Sequence, residues 1–138
     1  MGKLYDFINK KKKITWVTIL VYIVFNSCFM FPLLNIMIKT KTIDYLFSYL
    51  IVVGYIMIAF ILTGLLKEKP IKVYFLTLFF TAIGLGCRYI LEFGEVSNIV
   101  NFTGINVLIF LIVIPIFVMI VYCIITKIEL DQSVKRTV

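Results

Sequence analysis

The sequence predicts an all-α integral membrane protein, a four-transmembrane-helix antiparallel bundle with both termini on the inner side. Three observations lead to this fold class. Apolar side chains make up 62% of the 138 residues and the mean hydropathy is +1.09, well above soluble globular chains. Four apolar windows are each long enough to cross a hydrocarbon core, which needs about 20 residues. Basic residues are concentrated on one side of these windows.

The first window predicts a helix over residues 14–38. Its apolar run is longer than that of a secretory signal peptide, and no small-residue cleavage site follows it, so we expect it to remain in the mature protein. Four lysines stand directly before it, where the anionic lipids of the inner leaflet would bind them. These residues are Lys10, Lys11, Lys12 and Lys13.

Three further windows predict the remaining helices, over residues 45–66, 73–92 and 103–126. All four windows are apolar on every side, whereas a strand of a membrane barrel alternates polar and apolar residues. No repeat and no separate soluble segment is visible, so residues 1–138 are interpreted as a single membrane domain.

The connections between the windows are short. Residues 39–44 and 67–72 join the first three helices, and short connections predict that consecutive helices are antiparallel neighbours. Pro70 suits the first turn of the third helix, where its missing N–H is not needed. The connection over residues 93–102 is the only one with room for an additional feature on the outer side.

The distribution of charge predicts the orientation. Eleven of the fourteen Lys and Arg residues lie in the N-terminal segment, the second connection or the C-terminal tail, which places these parts in the cytoplasm. A homodimer would then be parallel. The many Ile, Lys, Phe, Tyr and Asn residues are typical of AT-rich bacterial genomes, so we expect a multi-pass protein of a bacterial plasma membrane. The lysines lie near membrane ends, so lipid explains them and no nucleic acid is expected.

The third predicted helix carries a stripe of polar and small residues. At 100° per residue, all of them lie within about 40° of Arg88. The stripe consists of Thr77, Thr81, Gly84, Arg88, Glu92 and Glu95. Its spacing matches the seams along which membrane helices pack, so we expect it to face the interior. Polar lines on the first two helices place Tyr22, Asn26 and Tyr55 opposite.

The charged end of this stripe has two interpretations. In the structural one, Arg88, Glu92 and Glu95 mark the outer interface and hold the third helix to its neighbours, since Arg88 and Glu92 have the spacing of an ion pair along a helix. In the functional one, they line a polar pocket open to the outside together with Asn98 and Asn101, and Asn106 is a further candidate. Ionisable residues at membrane depth are candidates for function.

No reaction centre is visible in the sequence. The chain has no histidine, its three cysteines form no CxxC pair, and no nucleotide-binding loop is present, so we expect no catalytic residue, metal or cofactor. The leading hypothesis is a non-enzymatic protein that acts through protein contacts in the membrane, as an accessory subunit or an immunity-type factor. The alternative is a small oligomeric transporter or channel subunit with a polar path along the third helix. A membrane enzyme using the carboxylates of Glu92 and Glu95 comes third.

Overall fold

A computed structural model of the chain describes residues 6, 10–31, 45–66 and 69–137. Every element formed by these residues is an α-helix. In chain order the helices are α1 (Lys12–Phe29), α2 (Tyr45–Leu65), α3 (Pro70–Leu91), α4 (Val96–Asn101) and α5 (Gly104–Thr137).

Three of these helices are long and apolar enough to cross a membrane. They are α1, α3 and the Gly104–Asp131 part of α5. In α2 the apolar part Ile51–Leu65 is shorter than a full span. The all-helical architecture and three candidate spans are compatible with a multi-pass membrane protein.

Aromatic side chains gather where α1 and α3 end and α5 begins. The ring centroid of Phe102 lies 4.6 Å from that of Phe31 and 5.2 Å from that of Tyr89. Phe110 packs edge-on against Phe31 at 5.5 Å. We call this the aromatic end; because α1 and α3 both finish there and α5 starts there, α5 runs opposite to both.

The opposite end of the molecule carries most of the basic residues that the structure describes. The hydroxyl of Tyr122, in the second half of α5, donates a hydrogen bond to the carbonyl of Leu66, so α2 also finishes towards this end. The exposed lysines Lys10–Lys13 precede or begin α1, and Lys69 and Lys72 stand at the start of α3. We call this the basic end.

The helices pack in an order that differs from their order in the chain. Among the described residues, the principal backbone contacts join α1 to α3, α3 to α5, and α2 to α5. The consecutive pairs α1–α2 and α2–α3, expected as close neighbours, are not among them. Short connections fix which ends of two helices meet, whereas side-chain size decides which backbones approach closely.

The first helix ends earlier than its predicted range of 14–38. Helix α1 begins at Lys12 and ends at Phe29, while Met30 and Phe31 are not helical and 32–38 lie outside the described residues. Pro32 follows in the sequence, and a proline disfavours helical backbone at the residue before it and clashes with the carbonyl four residues back. A helix therefore ends most easily just before Pro32.

The other predicted bounds shift by smaller amounts, except at the C-terminal end of α5. Helix α3 begins at Pro70, which occupies its first turn as predicted, and ends at Leu91 rather than residue 92. Helix α5 continues to Thr137, beyond the predicted end at 126, because no helix-breaking residue follows there. Pro115 lies buried inside α5 without ending it.

Candidate functional site

The stripe on α3 packs against α1. Thr77 and Thr81 are fully buried. A Cβ atom added at Gly84 would lie 2.5 Å from the Cβ of Ser27 and 2.6 Å from the carbonyl oxygen of Val24. Only glycine fits at this position, and the two backbones touch there as closely as small residues permit.

The two threonines of the stripe differ in their hydrogen bonds. The hydroxyl of Thr77 donates to the carbonyl of Val73, one turn earlier in α3, at 2.8 Å. The hydroxyl of Thr81 has no hydrogen-bond partner among the described residues. Thr77 therefore satisfies its polar atom within its own helix, whereas Thr81 presents an unsatisfied hydroxyl to the interior.

An ion pair occupies the end of the stripe at the aromatic end. The guanidinium of Arg88 contacts Oε1 of Glu92, four residues later. Glu92 is buried with 5% of its surface exposed, while the side chain of Arg88 is 27% exposed. The amide Nδ2 of Asn101 donates to both carboxylate oxygens, at 3.3 and 3.1 Å. The buried carboxylate thus has a counter-ion and an amide donor, as burial of a charge requires.

The short helix α4 is tied to its neighbours by asparagine amides. Nδ2 of Asn98 donates to the carbonyl of Tyr89 in α3 at 3.3 Å. Nδ2 of Asn106, in the first turn of α5, donates to the carbonyl of Asn101 at 3.0 Å. Asn98, Asn101 and Asn106 thus hold the connection that the sequence singled out as the one with room for an additional feature.

Glu95, predicted as a member of the stripe, lies outside it. Helix α3 ends at Leu91, and the chain turns at Gly94, whose φ of 85° is a left-handed conformation that glycine adopts readily. Glu95 is exposed, and its carboxylate accepts a hydrogen bond from the Ser97 hydroxyl at 3.0 Å. The helical projection failed because it extended α3 past its end.

The residues expected opposite the stripe lie in two different environments. Asn26 and Tyr55 are buried, with 4% and 2% of their surfaces exposed. Tyr22 is 40% exposed, and its hydroxyl occupies the space in front of Gly54 on α2. Tyr22 therefore links α1 to α2 at a position away from the stripe.

Ser27 was missed by the sequence reasoning, although it is fully buried and meets Gly84. Its position directly after Asn26, together with Cys28, forms a run of small or polar residues in an otherwise apolar helix. Such a run is the expected counterpart of a glycine on a neighbouring helix.

Five buried side-chain atoms have no hydrogen-bond partner among the described residues. They are Asn26 Nδ2, Ser27 Oγ, Tyr55 OH, Thr81 Oγ1 and Arg88 Nε. They belong to α1, α2 and the stripe of α3. Because native interiors satisfy most buried polar groups, such a concentration needs a physical explanation.

The described residues provide no group of three or more His, Cys, Asp or Glu side chains that could hold a metal ion. Cys28 and Cys87 line the same groove between α1 and α3, but its other walls are leucine, valine and phenylalanine. The groove offers an apolar surface and not a set of metal ligands.

The chain matches no known family model, no curated protein and no solved structure. Two features of the described residues bear on function: the polar interior and the apolar exterior.

Proposed function

We propose that the chain is a four-span protein of a bacterial plasma membrane that acts through protein contacts within the bilayer, without an enzymatic reaction. In this proposal α2, with 21 residues in Tyr45–Leu65, is the additional span. Both termini are cytoplasmic, and Lys10–Lys13 bind anionic lipid. The four spans form an antiparallel bundle that works as an accessory subunit or an immunity-type factor.

The observation that carries this proposal is the use of the polar stripe for internal contacts. Gly84 is closed off by Ser27, and the carboxylate of Glu92 is engaged by Arg88 and Asn101. These groups hold the chain together, so the surfaces left for other molecules are the outward faces of the helices.

The most regular outward row of apolar side chains is a ridge that winds around α5 by about 40° from one residue to the next. Its residues follow one another at intervals of four, and each exposes between 37% and 58% of its surface. The isoleucine ridge consists of Leu108, Ile112, Ile116, Ile120, Ile124 and Ile128. Ridges with this spacing pack into the grooves of a neighbouring helix. We assign the partner contact to this ridge.

Purification from the native host tests the proposal. A tagged chain extracted in mild detergent is expected to carry one foreign membrane protein in fixed stoichiometry, as measured by native mass spectrometry. The double substitution Ile116→Ala with Ile120→Ala should reduce recovery of that protein. Val17→Ala with Val21→Ala, two exposed residues of α1, is the matched control. A particle without a foreign protein, or equal losses in both variants, would contradict the proposal.

A second candidate function is favoured by the unsatisfied polar atoms. A small oligomeric transporter or channel subunit would use Thr81 and the Arg88–Glu92 pair as part of a polar path through the membrane. In that case Thr81→Val and Glu92→Gln abolish flux in reconstituted vesicles while the protein still folds. Glu95→Gln, at an exposed carboxylate, is the control and should leave flux unchanged. Unchanged flux in Thr81→Val and Glu92→Gln removes the stripe from the path.

A carboxylate-dependent enzyme is a third candidate. Glu92 is buried and paired with Arg88, whereas Glu95 is exposed beyond the end of α3. The two carboxylates thus stand in different environments, as an acid and base pair requires, but Glu92 is already engaged by a cation. Any activity that survives Glu92→Ala combined with Glu95→Ala eliminates this candidate.

A further inference from the structure

An open groove runs along the junction of α1 and α3. It follows the second half of α1, from Leu20 to Phe29. Phe80 and Cys87 border it on the side of α3. Its volume is about 380 Å³, within the range of roughly 300–1,000 Å³ that is typical of small-molecule sites. We call it the α1–α3 groove.

Side-chain size explains why the groove exists. The close contact at Gly84 holds the two backbones together, and Cys28 adjoins that contact. Cys28 and Cys87 have small side chains, and both line the groove. Phe25 and Phe29 are large, and their ring centroids lie 4.3 Å apart, so they form one wall together. Small side chains beside large ones leave a furrow that the described residues do not fill.

In a bilayer the groove lies within the hydrocarbon core. Both α1 and α3 are long and apolar enough to cross a membrane. Lys12 begins α1 at the basic end, and Leu20 lies about 12 Å further along the helix axis. Because the hydrocarbon core is about 30 Å thick, the groove extends from near the midplane to the aromatic end. Its lining consists of leucine, valine, phenylalanine and cysteine, so it suits an apolar ligand.

The dimensions of the groove determine which apolar ligand fits. It borders residues 20–29, which are almost three turns of α1. A helix with its side chains is about 10 Å across, so each turn of a partner helix occupies roughly 400 Å³. The whole groove therefore has room for less than one turn of such a helix. A single alkyl chain is narrow enough to lie along its full length, where it gains dispersion contacts with both walls.

We propose that the α1–α3 groove binds one acyl chain of a phospholipid from the leaflet at the aromatic end. The chain is held more firmly than lipid at an outward helix face, because it contacts side chains of two helices at once. This inference goes beyond the partner contact assigned to α5 and does not depend on it, since the groove is formed by α1 and α3.

Native mass spectrometry of the full chain tests the site. The protein is reconstituted in vesicles of phosphatidylethanolamine and phosphatidylglycerol and then extracted in mild detergent, which replaces loosely bound lipid. We expect one phospholipid to be retained. Cys87→Phe places an aromatic ring in the groove and should reduce the retained fraction several-fold. Cys123→Phe is the matched control, because Cys123 is also exposed but lies on α5, and it should retain the lipid. Equal retention in the two variants, or none in the unchanged chain, would overturn the proposal.

Photo-cross-linking locates the retained lipid without relying on the folding of Cys87→Phe. A phospholipid with a diazirine in its acyl chain should attach to peptides covering residues 20–29 or 80–87 in the extracted, unchanged chain. Cys87→Ala leaves the groove open and should retain the lipid, which separates filling of the groove from loss of the thiol. Cross-links confined to α5, or a groove cross-linked to a second protein, would refute the acyl-chain site. A partner protein appears as a separate mass, so the partner proposal and this one fail independently.

Discussion

Gly84 of α3 lies against Ser27 of α1 so closely that a Cβ atom at position 84 would come within 2.5 Å of the serine Cβ. The same atom would lie 2.6 Å from the backbone oxygen of Val24. Neither obstacle is the free end of a flexible side chain, so the helices themselves would have to move apart. This contact sets the distance between α1 and α3.

The substitution Gly84→Ala should therefore destabilise the protein. Overpacking of a tight contact costs about 1–3 kcal/mol. The measurement is the midpoint of unfolding in mixed micelles. Gly86→Ala is the control, because nothing lies within 4 Å of a Cβ added at Gly86. Stability equal to that of the control would mean that α1 and α3 are not in contact at Gly84.

The Arg88–Glu92 pair predicts a pattern of single and double substitutions. Glu92→Gln leaves a partly buried guanidinium without its counter-ion, and we expect a loss of about 2 kcal/mol, between the values for exposed and buried pairs. Combining Arg88→Leu with Glu92→Leu should recover part of that loss, because no unpaired charge remains.

The control for this series is the exposed Glu95. Its substitution Glu95→Gln should change the free energy of unfolding by less than about 0.5 kcal/mol, as is usual at a surface position. A double variant less stable than either single variant would mean that the two residues do not act as a pair.

The hydrogen bond from Tyr122 to the Leu66 carbonyl ties α5 to the end of α2. Tyr122→Phe removes it and leaves a carbonyl without this donor, so we expect a loss of about 1 kcal/mol in the free energy of unfolding. Tyr49→Phe, at a tyrosine that is 64% exposed, should have no measurable effect. Equal effects of the two substitutions would contradict a contribution from this bond.

Helix α4 turns its apolar residues away from the protein. Val96 and Ile99 are each 80% exposed, while Asn98 and Asn101 on the other side bond to α3. Because α4 directly joins α3 and α5, which are both long and apolar enough to cross a membrane, we expect it to lie at the edge of the bilayer with its apolar side among lipids.

Quenching by brominated lipids measures this depth. In a background with the single tryptophan replaced, Trp16→Phe, the substitution Ile99→Trp should give emission quenched by bromines near the headgroups. Ile83→Trp, in the middle of α3, is the control and should be quenched by bromines deep in the acyl chains. Emission from position 99 that neither lipid quenches would place α4 outside the bilayer.

Parts of the site were predictable because they depend on local spacing. Arg88 and Glu92 are four residues apart on one helix, so their ion pair follows from helical geometry. Glu95 was wrongly assigned to the stripe because that assignment also relied on local spacing. A projection at 100° per residue holds only while the helix continues, and the chain turns at Gly94. The link from Asn101 to Glu92 could not be predicted, because it depends on how the chain turns back after α3.

The sequence by itself determined the features that follow from composition and period. Long apolar windows required membrane-length helices, and Pro70 marked the start of α3. Pro32 explains why α1 ends at Phe29, but the helix predicted from the apolar window ran past this proline. The tertiary structure decided which helices touch, that Ser27 meets Gly84, and that Asn26 and Tyr55 are buried. An all-round apolar helix can pack through any face, and only the fit of particular side chains in three dimensions selects one.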